Sequence, residues 1–217
     1  MKIIFLDIDG VLNWRGTEDR VDGFVGLDPE MIAQFNRITD AHPDAKIVIS
    51  SSWRHCSPFQ KAYQDFDGLI KLLHDRGLRG EIIDHTPIHF GSHGRGNEIR
   101  EWLEKWRRAG HTAEFVVLDD DRTAMAPYIP TRSKYDTDEE WAEIEKNIEE
   151  DLRPRWVKTS FNGYPVQTMY GGGYEGRAGG LQEEHADQAI KILSGELREA
   201  TEPAHNAFDT PGPEWEG

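Results

Sequence analysis

Three short apolar runs constrain this chain more than anything else in it. Lys2 to Leu6, Lys46-Ile47-Val48-Ile49 and Phe115-Val116-Val117-Leu118 each read as a strand buried on both faces. Each stops abruptly at oxygen-bearing residues: Asp7, then Ser50-Ser51-Ser52, then Asp119-Asp120-Asp121. Helix signals separate them. Asp28-Pro29-Glu30 supplies a capping side chain, a first-position proline and a first-turn acid. Met31, Ile32, Phe35 and Ile38 follow at helical spacing, and His42-Pro43-Asp44 breaks the helix. Ser57-Pro58 opens a second helix, continuing in broken form to Arg76-Gly77, and Glu81-Ile82-Ile83 reads as a short strand. Asn97 to Arg108 is amphipathic, with Ile99, Trp102, Leu103 and Trp106 on one face, and Gly110 ends it. Apolar strands alternating with helices predict an α/β fold, a Rossmann-like three-layer sandwich around a mostly parallel sheet. Ligands of such sheets bind beyond the carboxyl ends of the strands, where all three runs end in residues capable of chemistry.

Beyond Asp121 the pattern changes. An insertion over 127–154 holds an acidic helix, Asp136 to Leu152, with Trp141, Ile144, Ile148 and Leu152 on one face. Arg155 to Thr159 reads as a fourth strand, 169–180 as a glycine-rich loop, and Glu183 to Leu197 as a final helix with Ala186, Ala189, Ile190 and Leu193 on one side. One domain over 1–198 follows. Pro203, Pro211 and Pro213 lie among polar residues, so 199–217 is expected to be a disordered tail.

Composition narrows the function classes. The 217 residues hold 25 Lys and Arg against 40 Asp and Glu, a formal charge of −15. That charge argues against a broad nucleic-acid footprint, which rests on cationic neutralisation of phosphates, but it leaves room for a local basic pocket. No apolar run approaches the roughly 20 residues of a membrane span, and no signal-peptide pattern precedes the first strand. The lone Cys56 excludes an internal disulfide framework and a Cys-rich zinc site. A cytoplasmic protein without membrane association is expected.

Asp7-Ile8-Asp9-Gly10 sets two carboxylates two residues apart, just past a buried strand. With Asp119 and Asp120 they make an acidic cluster that is unfavourable unless a cation neutralises it, and hard oxygen ligands suit Mg²⁺. His85, His89 and His93 lie four apart, but Pro87 and Gly91 spoil a helical face, so they read as loop histidines. Trp102 and Trp106 read as core. Gly171 to Gly180 lacks the preceding strand end that a nucleotide fingerprint requires.

These residues carry a resemblance to the haloacid dehalogenase (HAD) superfamily of phosphohydrolases. Phe5-Leu6-Asp7-Ile8-Asp9-Gly10-Val11-Leu12 resembles its first motif, Val48-Ile49-Ser50-Ser51 its second and Val117-Leu118-Asp119-Asp120 its fourth. Arg95, before the third strand, sits where the family carries the Lys or Arg of its third. Ser50-Ser51-Ser52-Trp53-Arg54, the Asp triplet, and Trp156-Val157-Lys158-Thr159 with Gly180-Leu181 are similar to HAD domains of bacterial and phage RNA-repair proteins. Asp120-Asp121-Arg122-Thr123 resembles the phosphatase half of phage polynucleotide kinase-phosphatases.

The resemblance implies a Mg²⁺-dependent phosphomonoesterase. Asp7 would be the nucleophile forming an aspartyl-phosphate, and Asp9 the acid that protonates the leaving oxygen and then the base that activates water. The implied metal set is Asp7, Asp9 (through its backbone carbonyl), Asp119 and Asp120, with a register ambiguity of one residue in the triplet. Ser51 would hydrogen-bond the phosphoryl group, with Ser50 and Ser52 as alternates. Arg95 would offset its charge, and Arg54 is a further candidate for substrate phosphate. Only a short flap, Asn13 to Gly26, fits between Asp9 and Asp28, so the cap is small or absent. An open site admits a nucleotide, a nucleic acid end or another phosphate ester. A small-metabolite phosphatase and a non-catalytic HAD-fold binding module are the alternatives. A receiver-type signalling domain would place its phospho-accepting aspartate on a later strand, opposite to the order here.

Overall fold

A computed structural model of the chain describes residues 1–56, 61–88, 95–121, 152–163 and 178–196. The sheet contains β1 (Lys2–Leu6), β4 (Lys46–Ile49), β5 (Glu81–His85), β6 (Glu114–Asp119) and β7 (Trp156–Lys158), in the order β5-β4-β1-β6-β7 with every pairing parallel. The chain lays strands outward from β1 in one direction and then restarts on its other side with β6. The switch point therefore falls between β1 and β6, where such sheets bind ligands.

Alternation along the strands divides the core. Ile4, Leu6, Ile47, Ile49, Val116 and Leu118 face α1 (Pro29–Ala41), α2 (Phe66–Asp75) and α4 (Glu183–Leu193). Ile3, Phe5, Val48, Phe115 and Val117 face α3 (Arg95–Arg108), where Phe5 meets Trp102 edge-on at 5.4 Å. This is the expected three-layer α/β sandwich. The Asp28 carboxylate accepts from the Glu30 amide at 3.0 Å, capping α1 as the sequence predicts.

Several boundaries differ from expectation. Residues 57–60 lie outside the described residues, and α2 begins only at Phe66, where Asp65 accepts from the Gly68 amide at 2.7 Å. β5 runs two residues further than Ile83 because it stays paired with Val48 and Ile49 across a register shift. α3 starts at Arg95, ahead of Asn97. Arg155 belongs to a 3-10 turn (Arg153–Arg155), and β7 begins at Trp156. α4 stops at Leu193, because Ser194 folds its hydroxyl back to the Ile190 carbonyl and Gly195 takes a positive φ of 93°. The expected flap is a hairpin of β2 (Arg20–Val21) and β3 (Phe24–Val25), turned by Asp22 and Gly23 at φ 51° and 88°. Of the 127–154 insertion only 152–154 are described. His89, His93, the triglycine and the 199–217 tail also lie outside the described residues. Among the described residues, no helix is long and apolar enough to cross a membrane.

Candidate active site

Hydrogen-bond pairing continues one residue past each strand. The Asp7 amide reaches the Leu118 carbonyl (3.0 Å), Ser50 that of Leu6 (2.9 Å), Thr86 that of Ile49 (2.9 Å) and Thr159 that of Asp119 (3.2 Å). The sheet thus sets these residues side by side along its carboxyl edge. Asp7 and Asp119, from the two strands flanking the switch point, are both buried, and Asp120 is half-buried. Asp7, Asp119 and Asp120 offer carboxylate oxygens all within 4.8 Å of one another. Gly10 closes in beneath them at φ 77°, where a Cβ would lie 2.4 Å from the Asp120 Cγ, so any side chain there would displace the carboxylate.

Arg95 reaches into this cluster from the first turn of α3, its Nη1 lying 2.6 Å from the Asp7 Oδ2 and 3.0 Å from the Asp119 Oδ2. Asp7 also accepts from the Ile8 amide at 2.8 Å and is hydrogen-bonded to the Ser51 side chain. Burial raises the Asp7 carboxyl above the usual range, and Arg95 and these hydrogen bonds offset that only in part. Burial, then the charge of Asp7, pushes Asp119 up to about 8. The same two causes raise Asp120, whose Oδ2 accepts from the Phe161 amide at 3.2 Å. Around Arg95 burial favours deprotonation, but the two carboxylates overcome it and hold the guanidinium charged.

Three converging carboxylates bridged by a guanidinium fit a hard divalent cation: the donors are all oxygen, and burial raises all three above the usual carboxyl range, with the charge of Asp7 adding to it at Asp119 and Asp120. In the metal-free fold the cluster keeps protons that the unfolded chain releases near pH 3.8. The metal-free protein is therefore expected to lose stability as pH rises from about 4 toward about 8. Mg²⁺, which binds the ionised oxygens, is expected to raise Tm more at pH 8 than at pH 5. Melting curves with Mg²⁺ and with chelator at both pH values check this, and equal shifts would contradict it.

The Asp9 carboxylate is not one of the three that lie within 4.8 Å of one another. Its Oδ1 accepts from the Asn13 Nδ2 at 2.9 Å and its Oδ2 from the Trp53 Nε1 at 3.0 Å. Asn13 is fully buried, and its Oδ1 in turn accepts from the Gly10 amide at 3.0 Å. Sequence reasoning took Asn13 only as the start of the flap and missed it as the clamp on Asp9. A polar side chain after Val11-Leu12, where the chain is otherwise apolar, was the available signal.

Ser50 and Ser51 are both fully buried. Ser51 is buried and also caps the turn Ser52–Arg54 by accepting from the Trp53 amide, whereas the Ser52 residue is exposed. Arg54 is buried. Its five N–H groups all have protein acceptors: the carbonyls of Ser50, Ser51, Thr86 and Pro87, and Glu98, whose Oε2 lies 2.5 Å away. In this arrangement all five donors are engaged within the protein. Arg54 ties the serine turn to Glu98, one helical turn beyond Arg95 on α3. Both side chains of the pair are nearly inaccessible, at 2% and 8% exposure. Glu98→Gln leaves a buried guanidinium without its counter-charge and is expected to cost about 3–5 kcal/mol of stability, read from denaturant unfolding. His85 bonds the Thr86 carbonyl and packs on Phe66, apart from the cluster.

A parallel sheet whose switch point carries paired strand-end carboxylates, a strand-end serine and a helix-borne arginine accords with a HAD-like α/β domain. The chain belongs to the family of HAD domains in Swiss Army Knife RNA repair proteins, whose profile matches residues 3–163. That membership implies a phosphatase-type hydrolase with a phosphorylated substrate. No curated protein and no solved structure matches the chain.

Proposed function

We propose that the protein is a Mg²⁺-dependent phosphomonoesterase that works through an aspartyl-phosphate on Asp7. The observation that carries this reading is the division of labour between the two motif carboxylates. Asp7 is buried against Arg95, Asp119 and Asp120, while Asp9 is held separately by Asn13 and Trp53. A cation held by the first environment would favour the ionised nucleophile, and an acid/base that must exchange protons is better kept out of that cluster of charge.

In this reading an Asp7 oxygen attacks phosphorus as the bond to the leaving oxygen breaks, and Asp9 gives that oxygen its proton. Asp9 then takes a proton from water, whose oxygen attacks the same phosphorus and frees Asp7. Ser51 and Arg95 orient the phosphoryl oxygens and offset their charge. Asp7, Asp119, Asp120 and the Asp9 backbone carbonyl would hold Mg²⁺. When bound, the ion neutralises the carboxylates and the transferring group.

The family's name points to RNA repair, which supports a nucleotide or a nucleic acid terminal phosphate as substrate, with small phosphate esters as the second reading. A cytoplasmic setting accords with the single cysteine. Release of inorganic phosphate from an aryl phosphate, with Mg²⁺ and after chelation, tests the activity. Turnover that requires the cation supports it, and equal rates reject it.

A further inference from the structure

A cleft of about 500 Å³ opens beside Asp9. Phe24 of the hairpin, Trp53 of the serine turn, Tyr63 before α2 and Phe161 after β7 line it. Trp53 and Tyr63 are buried and stacked, with ring centroids 5.9 Å apart and planes 11° from parallel. Phe24, by contrast, is 76% exposed. The hairpin that carries it is tied down: the Asp22 carboxylate accepts from the amides of Lys61 and Ala62 at 2.9 and 3.0 Å. An aromatic face is therefore held at the cleft while remaining open to solvent. The charged lining residues are Asp9 and Asp22, and no Lys or Arg joins them among the described residues.

We infer that this cleft is the leaving-group subsite for the base and sugar of a nucleoside monophosphate. The inference rests on the phosphomonoesterase reading and adds the substrate class. Aromatic faces stack on any base. Carboxylates accept from sugar hydroxyls and exocyclic amines but repel further phosphates. A polynucleotide backbone needs cations along its path, and among the described residues this lining has none, on a chain of charge −15. Trp53 joins the two functions, since its ring lines the cleft while its Nε1 holds the Asp9 carboxylate on the leaving-group side.

Calorimetric binding to the Asp7→Asn protein with Mg²⁺ tests this without turnover. The probes are adenosine 5′-monophosphate, ribose 5-phosphate and a 5′-phosphorylated oligonucleotide. The nucleotide is expected to bind about 10-fold or more tighter than ribose 5-phosphate, from the stacked base. The oligonucleotide should bind no tighter than the nucleotide, and Phe24→Ala in the same background should bring the nucleotide-to-sugar ratio toward one. Equal binding of nucleotide and sugar phosphate, a ratio unmoved by Phe24→Ala, or no binding at all overturns the subsite. Tighter binding of the oligonucleotide overturns the mononucleotide assignment in favour of a strand end. Failure of the phosphomonoesterase reading registers separately, as wild-type protein that releases phosphate from none of the three.

Discussion

Asp7→Asn is expected to lower phosphate release by more than about 10⁴-fold while leaving the protein folded. The amide has nearly the same shape but no anionic oxygen to attack phosphorus. The fold is expected to tolerate the change, because burial disfavours the ionised form of Asp7 and Arg95 keeps Asp119 at 3.0 Å as its counter-charge. Removing one of three crowded acids relieves Asp119, whose carboxyl is raised partly by the charge of Asp7. Unfolding midpoints without metal should therefore stay level or rise as activity disappears. The check is steady-state phosphate release alongside thermal melts of the same preparation. Residual activity within about tenfold of wild type would remove Asp7 from the nucleophile's role.

Asp9→Asn is expected to show a dependence on the leaving group that no structural defect would imitate. Loss of proton donation should slow an alkyl phosphate by about 10²–10⁴-fold. An aryl phosphate leaves as a stable phenolate and hardly needs the proton, so the first displacement on it should be nearly unimpaired. Hydrolysis of the phosphoenzyme then lacks its base. Rapid-quench measurements should show a burst of phenolate equal to the enzyme present, followed by slow turnover. Asn13 and Trp53 donate to different oxygens of Asp9, so the amide keeps one of these bonds through its carbonyl oxygen and loses the other, and the contrast between the two esters, which a shifted side chain would not create, carries the test. Equal losses on both esters, without a burst, would contradict the assignment.

Much of this could be read from the chain because the strands are short, uniformly apolar and sharply ended. Leu6, Ile49 and Leu118 each mark the last apolar rung of a strand, and the residues after them stand at the carboxyl edge in any parallel sheet. Asp7, Ser51 and Asp119 were therefore locatable from sequence. Arg95 was locatable by its place before the third strand, although its contact with both Asp7 and Asp119 depends on the packing of α3. Periodicity says nothing about where a side chain turns once the strand has ended. Asp9 lies two residues from Asp7, yet its carboxylate is drawn off by Asn13 and by Trp53, a partner 44 positions away. Arg54 looked like a free cation because its counter-charge, Glu98, is also 44 positions distant. The hairpin carried a local signal in Asp22-Gly23, a pair suited to positive φ, that was read only as part of a flap.

The most direct test of the account is to trap the phosphoenzyme. Asp9→Asn protein should be mixed with an aryl phosphate and Mg²⁺, acid-quenched during the burst, digested and sequenced by mass spectrometry. The account predicts one phosphoryl group on Asp7, labile to hydroxylamine as an acyl phosphate must be. A phosphoryl group on a serine or histidine, or a full burst with no modification of Asp7, would contradict it.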